Sequence, residues 1–168
     1  MHQSEGDRWL EQAVKSYGDG LLRLCFLYLH DRHLAEDAVQ ETFLRAFRSY
    51  GSFRKDSSEK TWLTRIAINV CKSALRQEQP LPLSEAPEGS YESRFRDDTV
   101  LQAVCALSQT LREVILLYYF QELSTPEIGQ VLHLPRNVIT ARLSRARAQL
   151  KTDLKGWYFD EQAETDPR

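Results

Sequence analysis

A proline-rich stretch near the middle of the chain separates two halves that both have helical patterns. Residues 78–98 contain three of the six prolines and six carboxylates, with few large apolar side chains. This composition is typical of a linker, and about 20 flexible residues span roughly 25 Å as a random coil. The chain is therefore predicted to be all-α: an N-terminal helical bundle and a C-terminal helix-turn-helix domain, two small helical domains joined by a flexible linker. The predicted ranges are 1–77 and 99–155 for the domains, 78–98 for the linker and 156–168 for an acidic tail.

The first half of the chain predicts four helices. The first extends from Glu5 to Tyr17, and Gly18 and Gly20 are expected to break it. The second extends from Leu21 to His30 and is apolar nearly all round, so it is expected to be buried among the others. The remaining two are Leu34–Tyr50, with Asp31 as its cap, and Glu59–Gln77, separated by a loop at residues 51–58.

The predicted helix 34–50 has two different faces. One is an apolar stripe at 3–4 residue spacing, made of Ala35, Val39, Phe43, Ala46, Phe47 and Tyr50. The other is polar around one large aliphatic residue, and its members are Asp37, Gln40, Glu41, Leu44 and Arg48. A solvated surface accounts for this second face, since single exposed apolar residues are normal. An apolar contact ringed by polar groups also suits protein docking, and periodicity leaves both interpretations open.

Basic and aromatic residues alternate in the loop at 51–58 and in the helix after it. Cations that follow phosphates, next to rings that hold unstacked bases, are typical of proteins that bind single-stranded nucleic acid. The alternative is a core tryptophan at position 62 and a solvated basic face. The candidate ligands of nucleic acid are Phe53, Arg54, Lys55, Lys60, Arg65 and Lys72.

The second half contains the pattern of a helix-turn-helix. After short helices at 99–108 and from Ser108, a capping box at Ser124–Glu127 starts a helix in which Gly129 leaves room for a second helix to cross closely. A turn at His133–Pro135 then leads into a basic helix, and carboxylates are absent from positions 128–152 of the sequence. The candidate DNA contacts are Arg136, Asn137, Thr140 and Ala141 at base edges and Arg142, Arg145 and Arg147 mostly at phosphates.

Two segments resemble one protein family. Residues 36–47, EDAVQETFLRAF, resemble the D-x-x-Q-E-x-F helix of the extracytoplasmic-function (ECF, group IV) sigma factors, and residues 123–151 resemble the −35-reading module of that family. The resemblance implies an alternative sigma factor of bacterial RNA polymerase that recognises −35 and −10 promoter elements and helps melt the −10 region. It implies docking on the coiled coil of the largest polymerase subunit, with the flap of the second-largest subunit as a further contact. It also implies that residues 51–77 hold the displaced −10 strand and that an anti-sigma factor restrains the protein.

Three residues depart from the family pattern. His133 stands where the family commonly has glycine, so a non-glycine residue is expected there at positive φ. Pro135 replaces a usual serine cap, and Asn137 replaces a frequent glycine. These departures concern which promoter sequence is read rather than the module itself.

Other classes of function fit less well. The alternative is a stand-alone helix-turn-helix transcriptional regulator, which would bind promoters without polymerase. An enzyme is not expected, because the sequence has no nucleophile motif or glycine-rich phosphate loop, and His33 with Asp37 supplies too few ligands for a metal. We therefore expect no catalytic residues, no metal and no cofactor.

The composition predicts a soluble, cytoplasmic protein. The chain is 42% hydrophobic and 27% charged, with no run of 18 apolar residues and no signal-peptide layout at the N-terminus. We therefore expect no direct membrane insertion. The three cysteines form no C-x-x-C pair and lie among apolar neighbours, so they are predicted to be small buried hydrophobes.

Overall fold

The computed structural model describes residues 4–77 and 99–154. Within those ranges the backbone forms seven α-helices and no β-strand, which confirms the all-α prediction. The chain divides into two compact units, Met1–Glu85 and Ala86–Arg168. The predicted linker at 78–98 and the acidic tail at 156–168 lie outside the described residues, so the domain boundaries remain a prediction.

Helix α1 extends from Glu5 to Leu29, so the predicted break at Gly18 and Gly20 is wrong. Ser4 caps its start: the Ser4 hydroxyl accepts from the Asp7 N–H at 3.1 Å, and the Asp7 carboxylate accepts from the Ser4 N–H at 3.1 Å. Each glycine costs a helix about 1 kcal/mol, whereas each large side chain that is buried contributes about 1.5–3 kcal/mol. The helix buries side chains both before and after the glycines, so tertiary packing outweighs their low propensity; its buried residues are Trp9, Ala13, Leu21, Leu24, Cys25, Leu27, Tyr28 and Leu29.

Helices α2 (Arg32–Ser49) and α3 (Glu59–Gln77) complete a three-helix bundle with α1. The Asp31 carboxylate accepts from the Leu34 N–H at 2.9 Å, which confirms the predicted cap. A 3₁₀ turn, Tyr50–Ser52, follows α2 and leads into the predicted loop. The buried face of α2 includes Ala38 and Thr42, which the predicted stripe left out, whereas Phe47 of that stripe is 38% exposed.

The second unit contains four helices within residues 99–154. Helix α4 is Thr99–Ala106, and α5 is Gln109–Ile115, which continues as a π-helical turn, Leu116–Phe120. Helices α6 (Thr125–Leu132) and α7 (Arg136–Asp153) form the predicted helix-turn-helix. The face of α7 predicted to be buried is buried, with Ile139, Leu143, Ala146 and Leu150 packed inward.

Local hydrogen bonds define the start of α6, and close packing defines the turn between α6 and α7. In the capping box, the Glu127 carboxylate accepts from the Ser124 N–H at 2.7 Å and the Ser124 hydroxyl accepts from the Glu127 N–H at 3.3 Å. His133 ends α6 at φ 55°, as the family pattern implied. A Cβ on Gly129 would lie 2.8 Å from the carbonyl oxygen of Leu134. The close neighbour of Gly129 is therefore the backbone of the turn and not the second helix that the sequence predicted.

Candidate functional site

The polar face of α2 lies outside the core of the first unit. Asp37, Gln40, Leu44 and Arg48 are accessible to solvent, and Leu44 keeps 49% of its surface exposed. Glu41 lies on the same face, and its carboxylate accepts from the Arg45 Nε at 2.7 Å. We call these five residues, Asp37, Gln40, Glu41, Leu44 and Arg48, the α2 face.

An apolar groove lies beside the α2 face, between α1 and α2. Its volume is about 570 Å³, and Gln40 and Leu44 of the α2 face form part of its wall. The groove is lined by Leu10, Val14, Gly18, Asp19 and Leu22 of α1 and by Glu36, Val39, Gln40, Phe43 and Leu44 of α2. The sequence did not indicate that α1 contributes to this groove. Val14 has the spacing of a core residue, although 46% of its surface is exposed.

Gly18 leaves a gap in the wall of this groove. A Cβ placed on Gly18 would have Val14 Cγ1 as its nearest neighbour, at 3.8 Å, which is ordinary van der Waals contact. The fold of the described residues therefore gives no steric reason for glycine at this position, although alanine is the better helix former. The absent side chain leaves the α1 backbone open to a close approach from the groove.

Aromatic rings form a continuous row at one end of the first unit. Phe53 stacks on Trp62 with ring centroids 4.4 Å apart, and Tyr50 stacks on Trp9 at 4.4 Å. Trp9 and Trp62 join the two stacks at 5.9 Å. Trp62 is buried, as the alternative interpretation expected, and one face of the half-buried Phe53 ring is already covered.

The basic candidates of this region differ in exposure. Arg54 and Lys55 project from the loop into solvent, and Lys55 has a left-handed backbone at φ 58°. Lys60 and Arg65 are half-buried along α3, and Lys72 is half-buried further along the same helix. The structure therefore brings a basic loop next to the half-buried ring of Phe53.

The first turns of α7 present polar side chains to solvent. Arg136, Asn137 and Thr140 are accessible there, and Ala141 is half-buried. The Thr140 hydroxyl donates to the Arg136 carbonyl at 2.8 Å and keeps its lone pairs as acceptors. These four predicted base-edge residues thus share one accessible end of the helix.

The three arginines predicted to contact phosphates have different environments. Arg145 is exposed, but Arg142 Nη1 lies 3.5 Å from the carboxylate of the buried Glu113. Arg147 Nε donates to the Tyr119 hydroxyl at 2.8 Å, and its guanidinium lies over the rings of Tyr118 and Tyr119. Two of the three side chains are therefore engaged by the protein itself, which the sequence pattern did not indicate.

The cysteines are only partly as predicted. Cys25 and Cys71 are buried, whereas Cys105 is half-buried. The pKa of the Cys71 thiol is raised far above its ordinary value, chiefly by a hydrogen bond with Cys25 and secondly by burial. Burial also raises the pKa of Cys105, although the nearby Arg112 opposes this. Protonated thiols are poor nucleophiles and poor metal ligands.

Residues 4–77 and 99–154 contain neither a metal cluster nor a helix suited to a membrane. No group of three histidine, cysteine, aspartate or glutamate side chains in those ranges is placed to hold a metal ion. No helix in the same ranges has the length and apolar character needed to span a bilayer.

Comparison with known proteins gives the same family for both halves. The chain matches the family model for Sigma-70 region 2 over residues 13–80 and that for Sigma-70, region 4 over residues 97–150. It is 32% identical to the ECF RNA polymerase sigma factor SigW of Bacillus subtilis (strain 168), with 84% of this chain and 87% of SigW covered. It is also 32% identical to the RNA polymerase sigma-H factor of Pseudomonas aeruginosa, with 88% and 87% covered.

Two solved structures have a similar fold. The sigma factor RpoE of Bartonella quintana, in complex with the anti-sigma factor NepR, gives a TM-score of 0.72 at 24% identity, covering 88% of this chain and 98% of that one. CnrH, in complex with the cytosolic domain of CnrY, gives a TM-score of 0.71 at 26% identity, covering 90% of each chain.

Proposed function

We propose that this chain, which belongs to the ECF sigma factors of the sigma-70 family, joins core RNA polymerase through the α2 face. As a member of that family it directs promoter-specific transcription. The observation that carries this proposal is the exposure of Leu44 in the middle of a polar face, at the edge of an apolar groove. An exposed aliphatic side chain ringed by polar groups has the composition of a protein interface. The coiled coil of the largest polymerase subunit is the proposed partner.

The groove gives the proposed interface an apolar centre. Val14, Val39 and Phe43 line it next to Leu44, while Asp37 lies on the polar side of α2. Apolar contacts at the centre supply most of the binding energy, and charges at the rim chiefly affect association rate and selectivity. Arg54 and Lys55 do not line this groove, so docking there leaves them available to DNA.

For the −10 element we propose that the loop before α3 holds the displaced strand. The cations of Arg54 and Lys55 follow phosphates there, and the outer face of Phe53 stacks on a base. The half-buried cations of α3 continue the basic path; they are Lys60, Arg65 and Lys72. Trp62 supports Phe53 from below and does not itself contact a base, because it is buried.

For the −35 element we propose that the N-terminal end of α7 enters the major groove. The residues near base edges are Arg136, Asn137, Thr140 and Ala141. Arg145 is the proposed phosphate contact further along the helix, since its side chain is exposed. We propose that the protein acts without catalysis or cofactor, and that the flap of the second-largest polymerase subunit is a further contact.

We also propose that an anti-sigma factor restrains this protein. RpoE of Bartonella quintana, a protein of similar fold, was solved with the anti-sigma factor NepR, and CnrH was solved with the cytosolic domain of CnrY. The apolar groove beside the α2 face is a suitable site, because a regulator bound there would block polymerase docking. We infer a cytoplasmic location, because the polymerase on which the protein acts is in the cytoplasm.

The docking proposal is tested by reversing charges on the α2 face. We expect Asp37→Lys with Glu41→Lys to weaken core polymerase binding at least tenfold, about 1.4 kcal/mol, while the fold survives because both side chains lie outside the core. Asp56→Lys with Asp153→Lys is the matched control, since it changes the net charge equally at exposed positions elsewhere. Affinity is measured by fluorescence anisotropy without DNA. Equal binding by the two double variants would show that the α2 face does not dock.

A further inference from the structure

A buried carboxylate contributes to the contact between the recognition helix α7 and the rest of its unit. Glu113 on α5 is a carboxylate with only 4% of its side chain exposed, and Arg142 Nη1 lies 3.5 Å from its Oε1. The Arg142 side chain is 23% exposed, so most of it is covered as well. Removing one partner of a buried ion pair is strongly destabilising, because the charge of the other stays buried.

A second arginine of α7 is held by the same α5 segment and its continuation. Arg147 Nε donates to the Tyr119 hydroxyl at 2.8 Å, and its guanidinium lies 5.3 Å from the ring centroid of Tyr118. Tyr118 and Tyr119 belong to the π-helical turn that continues α5. Polar contacts of α7 with this segment therefore occur at two separate points along the helix.

We propose that Glu113 and Arg142 are a positioning pair that sets the rotation of the recognition helix, and that Arg142 does not neutralise a DNA phosphate. The buried apolar stripe of α7 turns one side of the helix inward and so sets its rotation only coarsely, because aliphatic contacts are individually non-directional; it consists of Ile139, Leu143, Ala146 and Leu150. An ion pair adds a direction, because it requires the Arg142 side of the helix to face α5. That rotation is what presents Arg136, Asn137 and Thr140 outward.

The proposal rests on the function proposed above and assigns different work to two neighbouring arginines. Arg145 is exposed and contributes a phosphate contact, whereas Arg142 acts through the helix it orients. A phosphate contact releases counterions, so its loss lowers the slope of log affinity against log salt concentration by about one unit. The loss of a positioning contact weakens binding without changing that slope.

The experiment measures salt dependence with complete holoenzyme on a −35-dependent promoter. Core polymerase carrying each variant is titrated on promoter DNA at several salt concentrations. We expect Arg142→Gln to weaken promoter binding about tenfold with an unchanged slope, because the buried Glu113 carboxylate loses the cation that orients α7. We expect Arg145→Gln to reduce the slope by about one unit. A slope reduced by Arg142→Gln as much as by Arg145→Gln overturns the proposal.

The variant Glu113→Gln distinguishes an orienting role of Glu113 from simple competition with phosphate for Arg142. The two roles predict opposite changes in promoter affinity. If Glu113 orients α7 through Arg142, then Glu113→Gln weakens promoter binding. If Glu113 merely competes with phosphate for Arg142, its removal releases the cation and strengthens binding, which overturns the proposal. The double variant Glu113→Gln with Arg142→Gln removes the charges of both partners, so we expect it to be weakened less than the sum of the single variants.

Two further measurements separate positioning from simple unfolding. Arg142→Lys keeps the cation, and we expect it to recover most of the promoter binding that Arg142→Gln loses. Circular dichroism melts identify any variant that fails to fold, and the folded Arg142→Lys and double variants then decide the question. No recovery in Arg142→Lys, or a double variant weakened by the full sum of the single variants, overturns the proposal. If Arg145→Gln and Arg136→Ala both leave −35-dependent binding unchanged, the −35 function itself fails, which is a result distinct from failure of the positioning pair.

Discussion

Thr42 and Leu44 lie two residues apart on α2 in opposite surroundings. Thr42 is fully buried, and its hydroxyl donates to the Ala38 carbonyl at 2.7 Å, so the polar group is satisfied within its own helix. Leu44 is large and aliphatic, yet nearly half of it faces solvent. Hydropathy alone would assign the two residues the other way round. Helical spacing correctly placed Leu44 outside the core, but it could not predict the hydrogen bond that makes Thr42 suitable inside.

The first prediction compares two leucines of the first unit. Leu44→Ala should change the free energy of unfolding by no more than about 0.5 kcal/mol, because surface substitutions do little to stability. Leu24→Ala should cost about 2–5 kcal/mol, since Leu24 is 1% exposed and its removal leaves a cavity. Urea titration followed by circular dichroism gives both values. Core polymerase binding should show the reverse order once each variant is folded, with Leu44→Ala impaired and Leu24→Ala normal.

At the level of elements, the sequence predicted helices well wherever local signals agreed with packing. Capping at Asp31 and Ser124 and the left-handed His133 are local features, and all are present. The predicted break at Gly18 is absent, because the buried residues on either side of it hold α1 together. The inward direction of Arg142 was not predictable, because it depends on a carboxylate that is distant in sequence.

The second prediction concerns two glycines in helices. Gly18→Ala should stabilise the fold by about 0.5–1 kcal/mol, because there is room for the methyl group and alanine favours helix. Gly129→Ala should destabilise it, because the new Cβ would lie 2.8 Å from the Leu134 carbonyl oxygen. Thermal melts of both variants measure this. The same Gly18→Ala protein should bind core polymerase more weakly, because its methyl group fills part of the groove; unchanged affinity would exclude a close contact there.

The third prediction concerns the loop between α2 and α3. Lys55 has φ 58°, a conformation that glycine adopts without strain. Lys55→Gly should therefore keep the loop conformation while removing the cation, and we expect fewer open complexes with normal core binding. Permanganate reactivity of the −10 thymines reports the opening of the DNA. Gly51→Ala serves as the loop control, since no heavy atom outside its immediate neighbours lies within 4 Å of the position that its Cβ would take. Normal permanganate reactivity in Lys55→Gly would remove Lys55 from the proposed site.

At the scale of the whole molecule, charge is distributed in blocks rather than in one strong field. The net charge is only −2, which by itself argues against tight binding to DNA. Residues 99–152 nevertheless contain six basic and three acidic side chains, and the acid-free run coincides with most of the recognition helix. Weak basic surfaces on two separate units suit a protein that reads DNA only when polymerase holds it in place. The sequence pattern does not specify the promoter, because base preference depends on the geometry of a few side chains at the end of α7.

If this chain gives polymerase its choice of promoter, transcription from a library of random DNA will depend on it. Purified core polymerase is mixed with a library of randomised upstream DNA, with or without the protein, and the RNA 5′ ends are sequenced. We predict that starts appear only with the protein and that they share one −35 and one −10 sequence. Asn137→Ala should change the preferred −35 bases. Asp37→Lys with Glu41→Lys should abolish the starts. Identical starts with and without the protein would exclude a sigma-factor function, as would sequence-specific protection of the same promoters by the protein without polymerase.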